Sequence, residues 1–140
     1  MPAATKPAPP TPAEYARAAQ LREALRLFER RSDELTASNG LTTRTYQLLL
    51  MIKTARNGDG RAAPTELEER LQLRKSTVTE LVLRTENRGL VRRELDRNRP
   101  RGVTIRLTRT GERRLADTVR DLGDERRRLV KALSELATAG

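Results

Sequence analysis

The chain has 140 residues, a net charge of +10, 36% hydrophobic residues and only 2% aromatic ones. It holds no cysteine and no histidine, which excludes disulfides, thiolate chemistry and zinc–thiolate sites and removes the commonest metal ligand and general base. No glycine-rich phosphate loop accompanies the Asp, Glu, Lys, Tyr and Ser that remain, so neither an enzyme nor a resident cofactor is expected.

The length suits a single domain. Residues 1–13, rich in proline and alanine without periodicity, read as a disordered tail, leaving 14–140 as the folded part. The longest apolar run, 48–52, is far too short to cross a bilayer. The first residues lack a basic-then-apolar signal pattern, so a cytoplasmic protein without a membrane partner is expected.

From residue 14 the pattern turns helical. Ala18, Leu21, Leu25, Phe28, Ser32 and Leu35 recur at spacings of three and four and line one seam of a long helix over 14–38, which Asn39-Gly40 closes with a left-handed cap. Thr42 is a good N-cap for the next helix. Leu41 packs back on Tyr46 there, and Leu48, Leu49 and Ile52 form the buried face. Asn57-Gly58-Asp59-Gly60 is a loop, and residues 61–63 form a short strand candidate. Pro64 opens a short helix whose inward residues are Leu67 and Leu71. Gln72-Leu73-Arg74 is a tight turn, and a second helix runs over 75–88 to a cap at Gly89. Two alternating runs follow. Val91, Arg93 and Leu95 share one face of the first, and Val103, Ile105 and Leu107 share one face of the second. Together they predict a hairpin with an arginine-studded tip at residues 96–102. The last helix starts near Thr108 or Thr110. Leu115, Val119, Leu122, Arg126, Leu129, Leu133 and Leu136 alternate at four and three, a heptad seam with a soft point at Gly123.

Charge is concentrated in the middle. Residues 41–110 carry sixteen Lys/Arg against eight Asp/Glu, and eight of the positive charges fall within residues 88–109. A localised basic surface points to a polyanion, most commonly nucleic acid. The two short helices pack through Leu67, Leu71, Leu73, Val78, Leu81 and Val82. The other face of the second helix presents Lys75, Ser76, Thr77, Thr79, Glu80 and Arg84, a small, hydroxylated and basic surface suited to the major groove. Beside it, Arg97, Arg99 and Arg101 on the hairpin tip suit phosphates or the adjacent minor groove.

The residues Glu66-Leu67-Glu68-Glu69-Arg70-Leu71, Ser76-Thr77-Val78-Thr79, Gly89-Leu90-Val91-Arg92-Arg93 and Leu107-Thr108-Arg109-Thr110-Gly111 combine into a pattern that resembles the MarR family of winged helix-turn-helix transcription regulators, over roughly residues 14–125. The resemblance implies a mainly α fold with a small β-hairpin wing (α+β). The DNA-binding part would span 41–110, with long dimerisation helices over 14–38 and 111–138. It also implies a homodimer on a pseudo-palindromic operator, often a repressor released by a small-molecule effector, for which Tyr15, Arg22 and Tyr46 are candidate contacts. The DNA-binding residues would be Arg74, Lys75, Ser76, Thr77, Thr79, Glu80, Arg84, Arg97, Arg99 and Arg101. The apolar seams supply Leu21, Leu25, Phe28, Leu115, Val119, Leu122, Leu129 and Leu133 as dimer-interface candidates, although the same seams could pair within one chain. Several positions depart from the family's pattern, among them Arg99, which stands at the wing's usual aspartate position if Arg101 is its key arginine. Arg74 replaces a serine cap. Glu80 replaces a basic residue, so that it avoids a phosphate or accepts from a cytosine amino group. Leu83 and Thr85 are exchanged, which leaves an apolar side chain on an exposed face.

Two other functions fit the same charge: a general, architectural or RNA-directed nucleic-acid binder, and a winged helix that binds an acidic protein. The scarcity of aromatic residues counts against stacking on single strands.

Overall fold

The computed structural model describes residues 6–96, 98 and 102–138. They form α1 (Pro12–Ser38), α2 (Thr43–Lys53), α3 (Pro64–Leu71), α4 (Lys75–Asn87), β1 (Val91–Asp96), β2 (Gly102–Leu107), α5 (Arg109–Asp121) and α6 (Gly123–Thr138). The chain divides into two compact units. One runs from Ser32 to Gly123; the other joins the residues up to Arg31 with those from Asp124 onward.

α1 begins earlier than the composition suggested. Thr11 and Glu14 form a reciprocal capping box: the Thr11 N–H donates to Glu14 Oε2 (2.8 Å) and the Glu14 N–H to Thr11 Oγ1 (3.2 Å). Pro12, at the first helical position, has no N–H to leave unsatisfied. The helix thus includes Pro12 and Ala13, which the proline-rich reading placed in the tail.

In the Ser32–Gly123 unit the local signals act as read. Thr42 Oγ1 accepts from the Thr45 N–H at 3.1 Å and caps α2. Pro64 opens α3, and Gln72, in the left-handed region at φ 55°, turns the chain into α4. Ala62 bridges to Ile105 through two backbone hydrogen bonds of 2.9 and 3.0 Å, so the expected third strand is a single rung against β2. β1 and β2 pair antiparallel from Val91 opposite Leu107 to Asp96 opposite Gly102.

The core of this unit is aliphatic. Leu41, Leu48, Leu49, Ile52, Leu67, Val78, Leu81, Val82, Leu90, Val91, Ile105, Leu107 and Leu115 are all buried in one cluster, with Tyr46 at its margin. The unit extends beyond the expected 41–110 segment because Leu115, and beside it Val119, pack against that cluster. Thr108 and Gly111 make the junction. Thr108 Oγ1 donates to the Gly89 carbonyl (2.6 Å) and accepts from the Gly111 N–H (3.1 Å). A Cβ on Gly111 would meet the Leu90 carbonyl oxygen at 2.1 Å, so only glycine lets α5 approach this closely. Gly89 adopts φ 76° just past α4 and turns the chain into β1.

The predicted final helix is two helices, α5 and α6, separated at Leu122, one residue before the expected soft point. In the second unit, Glu125 is largely buried and pairs with Arg31 (3.6 Å) and Arg128 (2.5 Å). Gln20, Glu23, Ala24 and Leu27 of α1 line a shallow groove with Ala132, Glu135 and Leu136 of α6. No helix among the described residues is long and apolar enough to cross a membrane.

Candidate nucleic-acid interface

α4 is amphipathic. Val78, Leu81, Val82 and Thr85 face the core, and the Thr85 hydroxyl, fully buried, donates to the Leu81 carbonyl at 2.6 Å. A threonine is accommodated there because the helix itself accepts its proton. The outward stripe comprises Lys75, Ser76, Thr79, Glu80, Leu83 and Arg84, all exposed, with Thr77 half-buried. Arg74, Lys75, Ser76, Thr79, Glu80 and Leu83 line one shallow concavity. The expected exchange of Leu83 and Thr85 is visible as one apolar side chain out and one hydroxyl in.

The first turn of α4 is electropositive by construction. Arg74 occupies the N-cap position with extended backbone and supplies no capping acceptor. The first N–H groups of the helix therefore lack a side-chain partner, and with the helix dipole they favour an anion. Arg74 and Lys75 make no ion pair among the described residues. Further along, Glu80 and Arg84 pair with each other at 3.0 Å, so these two predicted contacts neutralise one another in the free protein.

The wing is anchored at its base by a residue that sequence reasoning passed over. Glu86, in the last turn of α4, accepts from the Arg93 N–H (3.1 Å) and from Arg93 Nε (2.9 Å). The backbone N–H of Arg93 holds the Glu86 carboxyl below the usual carboxylate range; burial opposes this, and the charges of Arg93 and Arg92 add to it. On the strands, Glu94 gathers Arg106 and Arg61, the latter at 3.5 Å. Arg93 is thus engaged with α4 rather than free, and Leu95, which alternation assigned to the apolar face, is 80% exposed because the strand runs beyond the core. Arg97, Arg99 and Arg101 lie outside the described residues; at the end of β1, Asp96 Oδ1 accepts from the Asn98 N–H at 3.0 Å. Arg92, Arg109 and Arg113 make no ion pair among the described residues and line one open cleft at the wing base with Arg106.

The dimer candidates fall into two groups. Leu115 and Leu122 are buried within the single chain and Val119 packs on the core, so they are already covered. Leu25, Phe28 and Leu129 are half-buried, and Leu21 and Leu133 are exposed. Among the effector candidates, Tyr15 and Arg22 are exposed and Tyr46 is half-buried. No cluster of acidic side chains among the described residues has the makings of a metal site.

Residues 39–102 match the model of the MarR family. No curated protein matches the chain. Among solved structures, AbsC, a MarR family transcriptional regulator from Streptomyces coelicolor, shares the fold with a TM-score of 0.79 at 24% identity, over 95% of this chain and 93% of AbsC. Sco3205, a MarR family transcriptional regulator from the same organism solved in complex with DNA, gives a TM-score of 0.76 at 26% identity, over 96% of this chain and 89% of that one. A mutant MarR from E. coli complexed with operator DNA gives 0.66 at 24% identity, over 85% and 87%. The family match spans α2, α3, α4 and β1, the part that carries the outward stripe, and with the shared winged helix-turn-helix fold it makes this chain similar to the transcriptional regulators of the MarR family.

Proposed function

We propose that the protein is a homodimeric, sequence-specific DNA-binding repressor acting on a pseudo-palindromic operator. α4 enters the major groove, and the hairpin lies at the adjacent minor groove with Arg97, Arg99 and Arg101 near its tip. The observation that carries this reading is the first turn of α4. Its two cations make no ion pair among the described residues, its N–H groups lack a capping side chain, and the helix is tied to the wing through Glu86 and Arg93. That Sco3205, similar in fold and 26% identical, was solved in complex with DNA supports DNA binding as the role of this surface. A second copy would contact the chain through the side chains that one protomer leaves open, Leu21, Leu25, Phe28, Leu129 and Leu133. Two recognition helices would then sit one duplex turn apart, ~34 Å. Release by a small-molecule effector belongs to the same reading.

Selection from random duplex DNA with the purified protein, followed by titration at several salt concentrations, tests this. The expected result is a palindromic site bound by two chains. With about four phosphates neutralised per protomer, log affinity falls against log salt with a slope of about −7. Equal affinity for selected and unselected duplex, or a slope near zero, overturns it.

A further inference from the structure

We infer that Leu83 is a specificity-determining residue that packs on the C5-methyl group of one thymine in each operator half-site; this rests on the DNA reading above. Leu83 is 39% exposed, and with Leu95 it is one of the two exposed large apolar side chains among the described residues of the Ser32–Gly123 unit. It is not a misplaced core residue, since Val78, Leu81, Val82 and Thr85 fill the inner face of α4. It lies on the stripe of Ser76, Thr79 and Glu80, at the helical spacing that puts these residues on one side, and shares their concavity.

The neighbours of Leu83 decide what it meets. The Thr79 hydroxyl donates to the Lys75 carbonyl at 2.9 Å, and the Arg84 guanidinium is held by Glu80 at 3.0 Å. The stripe from Thr79 to Leu83 therefore presents a carboxylate, an acceptor oxygen and hydrocarbon. A guanine edge there would set its O6 and N7 acceptors against the Glu80 carboxylate and the Leu83 hydrocarbon, with Arg84 drawn toward Glu80, and so be poorly matched. Thymine instead offers a methyl group in the major groove, the one apolar feature among the base edges, and burying it against Leu83 desolvates two apolar surfaces at once. Reading of guanine falls to the first turn, where Arg74 and Lys75 retain their donors.

The test uses the full-length protein and its selected operator. Each thymine of a half-site is replaced singly by uracil, which differs only in lacking the methyl group. Affinity is measured for the wild type, Leu83→Ala and Leu83→Met, with thermal melts of all three. The expected result is one thymine per half-site whose replacement weakens wild-type binding about fourfold, and about fifteenfold when both half-sites are changed. Leu83→Ala binds the thymine and uracil duplexes equally, whereas Leu83→Met keeps the preference. If no thymine methyl matters to the wild type, the inference is overturned while DNA binding stands. If the preference survives undiminished in Leu83→Ala, the methyl group is read by another residue such as Thr79, and the inference is again overturned. Failure to select any operator removes the DNA reading and the inference with it.

Discussion

α3 and α4 are adjacent helices of one helix-turn-helix, both rich in charge, and the end of α3 and the start of α4 hold that charge in opposite states. On α3, Arg70 donates to the Met51 carbonyl (2.9 Å), the Thr54 carbonyl (3.0 Å), Thr54 Oγ1 (2.9 Å) and Glu66 (3.0 Å). It satisfies the end of α2, whose last carbonyls have no partner within that helix. Glu66 in turn accepts from the Arg56 N–H at 3.1 Å, and Glu69 pairs with the Arg56 side chain at 3.1 Å. On α4, Arg74 and Lys75 have no such partners among the described residues. Charge on α3 holds the fold together; charge at the start of α4 is left for something outside it. The number of charged residues, four on each helix, does not show this difference; their partners do.

Four substitutions break or sharpen this contrast. Arg70→Ala strands two carbonyls and the half-buried Glu66, and costs about 2–3 kcal/mol in urea denaturation. Affinity for operator per folded molecule stays at the wild-type level, since Arg70 faces α2 and not the outward stripe. Lys75→Ala is expected to do the reverse. Its melting profile matches the wild type, while operator affinity drops about tenfold and the salt slope shrinks by about two for a dimer, as gel-shift titrations at several salt concentrations will read.

Glu86→Gln tests the tie between α4 and the wing, at a stability cost of about 1 kcal/mol at neutral pH. The folded-state pKa of Glu86 is depressed, so its contribution is fully present above the unfolded value of about 4.3 and is lost as pH falls through the folded value. The stability gap between wild type and variant, measured by denaturation at a series of pH values, therefore closes in acid. A gap independent of pH would mean that the carboxylate's charge plays no part in the anchor. The smallest effect is expected from Glu80→Gln. Loss of an exposed i,i+4 pair changes stability by only a few tenths of a kcal/mol. Arg84, released, raises affinity for random duplex severalfold, so the ratio of operator to random binding falls.

Much of the fold was legible because its signals are local. Thr42 caps α2, Pro64 opens α3 and Gly89 closes α4, each through geometry confined to a few residues. The Thr11–Glu14 box was equally local and was hidden by the surrounding prolines. The seam beginning at Leu115 shows where pattern reading ends. A four-three repeat reports that a face is apolar, not which body covers it. Leu115 went to the core of the winged unit, and the helix broke at Leu122. Leu95 erred the other way, since alternation gives a side chain's face but not whether the core extends beneath it.

The candidate site divides similarly. The outward residues of α4 follow from helical period and from where the apolar residues stand. Their availability does not: Glu80 engages Arg84, Glu86 engages Arg93, and Glu94 holds Arg106 and Arg61. The sequence by itself determined the helices, the hairpin, the caps and the concentration of positive charge, because propensity, periodicity and turn chemistry act over a few residues. Only the tertiary structure decided that Glu86 holds Arg93, that Glu94 holds Arg106 and Arg61, and which apolar side chains remain exposed, because these depend on how separate elements pack; the Glu80–Arg84 pair, four residues apart on one helix, is local.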